Sequence, residues 1–348
     1  MTTLKDLSRA LGLSVTQISR ALNDHADVSD ATKDRVRKVA NDLNYQPNMS
    51  ARRLVTGRSG LVALVLAQVP KYPEDRLFLD IAGAISSNFS RRGLQFILHI
   101  ADPNDDVVSV YKRLVSGGGI DGFVVLEPKI GDRRLTYLQR AGVPFVLHGR
   151  DTLAPDYGFF DIDNWQVGYD LTKHLLQNGH ERIAFLNGSK DRTYVQQRTE
   201  GFMRALAEAG VPQDPDMIRY APMDEGFGLL ETVRLFDRSG PKPTALIAGN
   251  IWIAKGIYRS LTALGLKVGK DVSVVAHDDM FPEMSAAAMG PALTCTESPL
   301  SISWEPLAEI LSSLLDGVPV SQMQMLEDIT FVERDSVHRI GPPFGQNS

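Results

Sequence analysis

The chain has 348 residues, of which 43% are hydrophobic and 23% charged. That composition excludes disordered and fibrous classes and suggests about two or three globular domains. The net charge of -5 is unevenly held: residues 1–60 carry 10 Lys/Arg against 6 Asp/Glu, and residues 61–348 carry 27 against 36. A basic head on an acidic body is expected to meet a polyanion at one end only. The one cysteine, Cys295, excludes an intrachain disulfide framework and fits a reducing cytoplasm. The longest apolar stretch, Leu61 to Ala67, falls far short of the roughly 20 residues a membrane span needs. The N-terminus MTTLKDLSRALGLS has no apolar signal core, so no secretion is expected.

The first 46 residues read as three short helices. Thr3 to Asp6 is a capping-box pattern, and Leu4, Leu7, Ala10 and Leu11 form an apolar stripe behind it. Gly12 stops that helix, and Ser14 to Gln17 opens a second with another capping box and apolar residues Val15, Ile18 and Leu22. Asn23-Asp24 ends it, and Ser29 caps a third helix with the stripe Val36, Val39, Ala40 and Leu43. Pro47 closes this head. Residues 48–55 could form two helical turns, too few to be stable alone, and Gly57 to Gly60 reads as a loose joint.

From Leu61 the pattern changes to alternating strands and helices. Strands are expected at 61–67, 96–100, 121–126 and 144–149, with helices near 77–92, 106–116 and 132–141 between them. A second series follows: strands at 182–187, 217–220, 244–249 and 272–277 among helices near 164–179, 195–210, 225–238 and 251–264. Continuous apolar strands separated by helices predict parallel sheets covered on both faces. Two series of about four to five strands predict two similar lobes.

Two capped helices joined across a Gly-containing turn have the shape of a helix-turn-helix. A plain three-helix packing domain would show the same hairpin, but the N-terminal position, the basic balance and the polar run T-Q-x-S-R favour DNA. On the second helix, Val15, Thr16 and Arg20 would face bases, with Gln17 and Ser19 at the margins. Arg can donate two bonds to guanine, Thr can bond either base type, and Val can touch a thymine methyl. Ser14, at the helix N-terminus, suits a phosphate, and Thr3 and Asn23 complete the expected DNA-facing set.

These segments, together with the YQPN junction, VTGRSGLVALV, IDNWQVGYDLTKHLLQNGHERIAFLNG and KDVSVVAHDD, resemble the LacI/GalR family of transcriptional repressors over essentially the whole chain. The resemblance implies a cytoplasmic homodimer with a DNA-binding head, a hinge helix and a two-lobed core like a periplasmic sugar-binding protein. It implies that Leu54 wedges into the minor groove, as apolar side chains that kink DNA do. It also implies an effector between the lobes, at the C-terminal ends of the strands. Matching motif positions puts Phe78, His148, Arg150, Asp163, Arg192, Tyr194, Arg198, Asn250 and Asp278 at that cleft. Relatives usually carry Asn-Asp where this chain has Asn250-Ile251, so Trp252 is expected to replace a lost carboxylate contact by stacking on a sugar.

Other chemistry is poorly supported. His277-Asp278-Asp279 has no second His or Cys at ligand spacing, and Ser116-Gly117-Gly118-Gly119 lacks the phosphate-loop frame. No nucleophile elbow is present. The expectation is an α/β protein: a helix-turn-helix head (1–46), a hinge helix and linker (47–60), and a two-lobed, periplasmic-binding-protein-like core with parallel sheets (61–340). It would be a non-enzymatic, operator-binding repressor of near-palindromic double-stranded DNA. Its effector would be a sugar, a glucoside or disaccharide, with no cofactor, metal or membrane partner. The rival readings are a periplasmic-type sugar-binding protein and a sugar-modifying α/β enzyme.

Overall fold

The computed structural model describes residues 2–22, 25–43, 45, 58–67, 75–102, 104–282 and 284–341. The chain divides into two compact units, Met1–Leu61 and Val62–Ser348. In the first, helices α1 (Leu4–Leu11), α2 (Val15–Leu22) and α3 (Asp30–Asp42) follow their capping residues. The Thr3 hydroxyl accepts from the Asp6 N–H, and the Asp6 carboxylate accepts from the Thr3 N–H at 2.9 Å. Ser14 and Gln17 exchange the same two bonds, at 3.1 and 3.2 Å, where α2 begins. Gly12 ends α1 at φ 67°, a left-handed turn that strains any side chain. Leu7, Leu11, Ile18, Ala21, Val36 and Ala40 form the core, and Arg35 donates to the Leu11 carbonyl at the open end of α1. Ala10 and Val15, expected on apolar stripes, are exposed; Ala21 takes the inward position on α2.

The second unit contains two sheets. The first is built from β1 (Leu61–Leu66), β2 (Gln95–Ile100), β3 (Gly122–Val125), β4 (Phe145–His148), β5 (Gly158–Ile162) and β11 (Gln324–Glu327), in the order β11-β5-β4-β3-β1-β2. The second is built from β6 (Ile183–Asn187), β7 (Ile218–Tyr220), β8 (Ala245–Ala248), β9 (Ser273–Asp278), β10 (Thr294–Glu297) and β12 (Thr330–Val332), in the order β12-β10-β9-β8-β6-β7. Each holds six strands, more than the four to five that the apolar runs predict. Strands β3, β6 and β8 are buried along their whole length, as parallel strands covered on both faces should be.

The chain crosses between the lobes three times. It leaves the first sheet after β5 for α7 (Asn164–Gln177), returns after β10 to α11 (Trp304–Leu315) and β11, and crosses again to β12. Trp304, Leu307, Ala308 and Leu311 of α11 pack on Val62, Val124, Val146 and Phe160 of the first sheet. In the second lobe, α7 and α8 (Thr193–Glu208) meet backbone to backbone. A methyl on Gly168 would lie 1.9 Å from the Arg198 carbonyl oxygen, and one on Gly201 2.1 Å from that of Trp165. That approach fixes the start of α8 relative to α7, where the cleft residues stand.

Candidate functional site

On the head, Val15, Thr16, Gln17 and Arg20 of α2 are exposed and Ser19 is partly so. The Ser14 and Gln17 side chains are turned toward each other in the cap, with Ser14 Oγ 3.1 Å from Gln17 Oε1. Thr3 is likewise held by Asp6 at 2.7 Å. Val15, Thr16 and Arg20 are the exposed α2 side chains not engaged in the cap. Arg20 is met by a carboxylate the sequence did not single out: its Nε and Nη2 lie 3.2 and 2.8 Å from the two oxygens of Asp27. Asn23 and Leu54 lie outside the described residues, as does the expected hinge helix.

In the core, a cavity of about 210 Å³ lies between the lobes at the C-terminal ends of the strands. His148, Arg150, Tyr194 and Arg198, all expected at the cleft, line it together. Glu127, Asp161, Asn164, Asp279, Ser298 and Ser303 line it too and were not foreseen. A hydrogen-bonded string joins the lobes across its floor. Arg150 Nε donates to Asp161 at 2.8 Å, Asn164 Nδ2 donates to Asp161 at 3.1 Å, and Arg198 Nε donates to Asn164 Oδ1 at 2.8 Å. Arg198 also donates to the Gly249 carbonyl at 2.6 Å and lies 5.3 Å from the Tyr194 ring centre. Burial pushes the Asp161 carboxyl above its ordinary value, against the pull of Arg150. Burial also works against ionisation at Asp279, yet His277, Arg198 and His148 around it hold that carboxyl below the usual range. Burial lowers the His148 imidazole to about 4, so it stands neutral at pH 7, 3.2 Å from the Ser303 hydroxyl.

A second space of about 580 Å³ adjoins the first through Glu127. Val65, Leu66, Phe78, Ile81, Leu126 and Ile130 give it apolar walls, and Arg192 stands at its rim. Arg192 reaches from the second lobe to the Glu127 and Pro128 carbonyls of the first, and Lys129 meets Asp191 at 2.9 Å beside it. Two non-glycine residues among those described have positive φ, Glu127 at 51° and Met280 at 52°. Glu127 lines both spaces and Met280 directly follows the cavity residue Asp279, so the backbone strain is concentrated at the cleft. A groove of about 650 Å³ lies elsewhere, between Leu138, Pro144, Gly158 and Leu314 near the strands' N-terminal ends. Open α/β sheets bind ligands at the other end.

The remaining expected residues turn elsewhere. Asp278 is buried and accepts from the Met280 and Ala286 N–H groups at 2.8 and 3.2 Å; the carboxylate facing the cavity is its neighbour Asp279. Successive side chains of a strand point to opposite faces, so one residue decides between structure and site. Asp163 caps α7 by accepting from the Gln166 N–H. Asn250 caps α10 (Ile251–Ala263) through the Ile253 N–H and donates to the Met223 carbonyl. Trp252 is 4% exposed in the second lobe's core, 6.3 Å from the Phe281 ring, and does not line the cavity; Ile251 is fully buried beside it. The absent carboxylate at 251 is therefore not replaced by stacking from 252. Among the described residues, Asp278, Cys295 and Glu297 cluster closely enough to suggest a metal. The Arg334 guanidinium already fills that cluster, 2.9 Å from Cys295 Sγ and 2.5 Å from Glu297 Oε1.

A helix-turn-helix with an exposed second helix, in one chain with a two-lobed core around a polar cleft, defines a ligand-controlled DNA-binding regulator. Comparison with known proteins gives the family. The family described as periplasmic binding proteins and sugar binding domain of LacI family matches residues 62–311, and bacterial regulatory proteins of the lacI family match residues 3–48. The HTH-type transcriptional regulator AglR of Rhizobium meliloti is 33% identical over 90% of this chain and 87% of its own. The HTH-type transcriptional regulator RafR of Escherichia coli is 30% identical over 96% and 98%. The solved complex of the transcriptional regulator CelR with cellobiose superimposes with a TM-score of 0.70 at 27% identity, covering 97% of this chain and all of that one. The chain belongs to the LacI family and is a DNA-binding transcriptional regulator. Among the described residues no helix is long and apolar enough to cross a membrane.

Proposed function

We propose that the chain is a homodimeric repressor that reads a near-palindromic operator and releases it when a neutral sugar, a glucoside or disaccharide, occupies the cleft. The pairing of cationic groups around the two cavities carries the choice of ligand. Arg150 is matched by Asp161, Arg134 by Asp132, Arg133 by Asp106, Lys129 by Asp191, and Arg192 by Glu127 and Asp191. Arg198 and Asp279 both line the inner cavity, and each feels the other's charge. Among the described residues an anionic sugar phosphate would find each cavity cation already near a carboxylate, whereas hydroxyl groups can both donate to the carboxylates and accept from the guanidinium groups. The inner cavity, about 210 Å³, has room for one sugar ring, and the apolar space beside Phe78 suits a second ring or an aglycone. The cellobiose bound by the CelR relative is a ligand of that form.

On the DNA side, α2 lies in the major groove with Val15, Thr16 and Arg20 on base edges, and Leu54 wedges into the minor groove between two copies of the chain. A single head covers too little surface for specific binding, which favours a dimer on two half-sites. A coupling of about 1–3 kcal/mol between cleft and operator gives a 5–150-fold change in DNA affinity. The test is a thermal-shift screen of neutral disaccharides against sugar phosphates, followed by operator titration with each hit. At a hundred times its Kd a true effector adds about 2.7 kcal/mol of stability. A sugar phosphate that stabilises the protein while neutral sugars do not would overturn the choice of ligand.

A further inference from the structure

We propose that Asp27 is a positioning residue for base readout: it braces the Arg20 guanidinium so that the outer edge of the fork faces a guanine. The inference rests on the groove placement of α2 proposed above. Asp27 sits in the turn between α2 and α3. The His25 N–H donates to the Arg20 carbonyl at 3.1 Å and the Val28 N–H to the His25 carbonyl at 3.2 Å, and these bonds fix that turn against the end of α2. Both Asp27 oxygens meet the same guanidinium, at Nε and Nη2, in side-on geometry. Both side chains are about half exposed, 47% for Arg20 and 53% for Asp27. A surface pair of that kind adds little to fold stability. It removes rotamer freedom from a long side chain before DNA arrives.

Arginine has five N–H donors, of which Asp27 takes two. Among the described residues no other group engages the Nη1–Nη2 edge, which offers two parallel N–H groups at the spacing of guanine O6 and N7. A carboxylate beside DNA also repels the phosphates, and it does so for every sequence alike. Asp27 therefore lowers general DNA affinity while sharpening one base position.

The test is selection of binding sites from randomised duplex DNA by the full-length protein, comparing wild type, Asp27→Asn, Arg20→Ala and the double variant. Selected and nonspecific duplexes are then titrated, and melting curves are recorded for each variant. Arg20→Ala should erase the guanine preference at one position of each half-site. Asp27→Asn should weaken that same preference about fivefold, the share of one charge-assisted contact. It should leave nonspecific binding equal or tighter and the melting temperature unchanged. In the Arg20→Ala background Asp27→Asn should change no base preference. An unaltered or sharpened guanine preference in Asp27→Asn, with Arg20→Ala still relaxing it, would overturn the brace and leave the groove placement standing. An equal loss of affinity for all sequences would overturn it too. If Arg20→Ala leaves every preference intact, the groove placement of Arg20 fails and the brace falls with it.

Discussion

The two lobes repeat one strand order but are held together differently. Reading each sheet from its edge, β11-β5-β4-β3-β1-β2 and β12-β10-β9-β8-β6-β7 are the same sequence of turns and crossovers. They part at the last strand, which joins parallel in the first sheet and antiparallel in the second. They part again in the helices. The second lobe sets its helix pairs in backbone contact: α7 on α8 through Gly168 and Gly201, and α9 (Glu225–Asp237) on α10 through Gly228 and Gly256. The glycine of α4 (Asp75–Arg91) in the first lobe, Gly83, has nothing within 4 Å of the place a methyl would take. The second lobe is thus a stiff frame, carrying Tyr194 and Arg198 on α8, and the first lobe meets it with loops at Glu127 and Arg150.

The sharpest break of that comparison is to space the paired helices apart. A methyl at Gly168 or Gly201 would sit about 2 Å from a backbone oxygen that no rotamer change can move. Gly201→Ala should therefore lower unfolding free energy by about 3 kcal/mol or more, above the usual cost of overpacking. Denaturant titration checks it, and an unchanged midpoint would mean that the helices slide apart freely.

Next comes the residue this frame positions. Arg198→Ala leaves Asn164 and the Gly249 carbonyl without their partner and removes the cation facing Asp279. Any ligand-dependent change in operator affinity should disappear, a loss of about 1–3 kcal/mol of coupling. Arg150→Ala in the first lobe should weaken ligand binding while leaving a measurable response, because the frame remains. Equal, complete loss in both variants would erase the distinction between the lobes.

The alternation of helices and strands was legible where buried strands are short apolar runs and where helices open on capping residues such as Asp106, Asp163 and Asn250. Strand β5 was not, since GFFDI follows a long irregular stretch and reads as the end of a loop. Nor were β10, a buried but largely polar TCTE, the three-residue β12, or β11, whose residues Gln324 to Glu327 are all exposed and lack a period. Without these four, the three crossings between lobes could not be drawn, and the crossings bring Asp161, Asn164 and Ser303 to the cleft. The cleft arginines were legible by motif position. Asp279 was missed by one residue, because sequence position does not say to which side a strand's last carboxylate turns. Trp252 was misplaced because an aromatic at a helix start serves a core and a ligand equally well in sequence. Asp27 gave no signal at all: its partner lies seven residues away across a turn.

Acid should act on both lobes in the same direction. Burial lowers His148 in the first lobe and His180 in the second to about 4. Both are neutral in the folded chain at pH 5 and mostly protonated when unfolded, where the ordinary value is near 6.5. The unfolded state then binds more protons, so stability is full above pH 6.5 and falls as pH drops toward 4. Each should contribute roughly 1–2 kcal/mol of that loss by pH 5, the lower figure for His148 because it lines the cavity. His148→Gln and His180→Gln should each flatten the slope between pH 6.5 and 4 without changing it above 7. A slope unaltered in both would assign the acid response to other groups.

The smallest effect is expected where the first lobe leaves room. Gly83 is exposed in the middle of α4, with a φ in the ordinary helical range and open space around it. An added methyl there meets no atom of the described residues and removes backbone freedom from the unfolded state, so Gly83→Ala should raise unfolding free energy by about 0.5–1 kcal/mol. The residue one turn before it, Leu79, is 68% exposed, and Ile100 at the end of the edge strand β2 is 48% exposed. Exposed apolar side chains of this kind suit contact with the second copy in the proposed dimer. Unfolding and sedimentation should therefore be measured on the same sample. A gain in stability with the dimer intact fits a helix whose glycine is merely loose. A loss of dimer with an intact fold would mean that Gly83 is a close-approach glycine after all, serving the contact between copies as Gly168 and Gly201 serve the contact between α7 and α8.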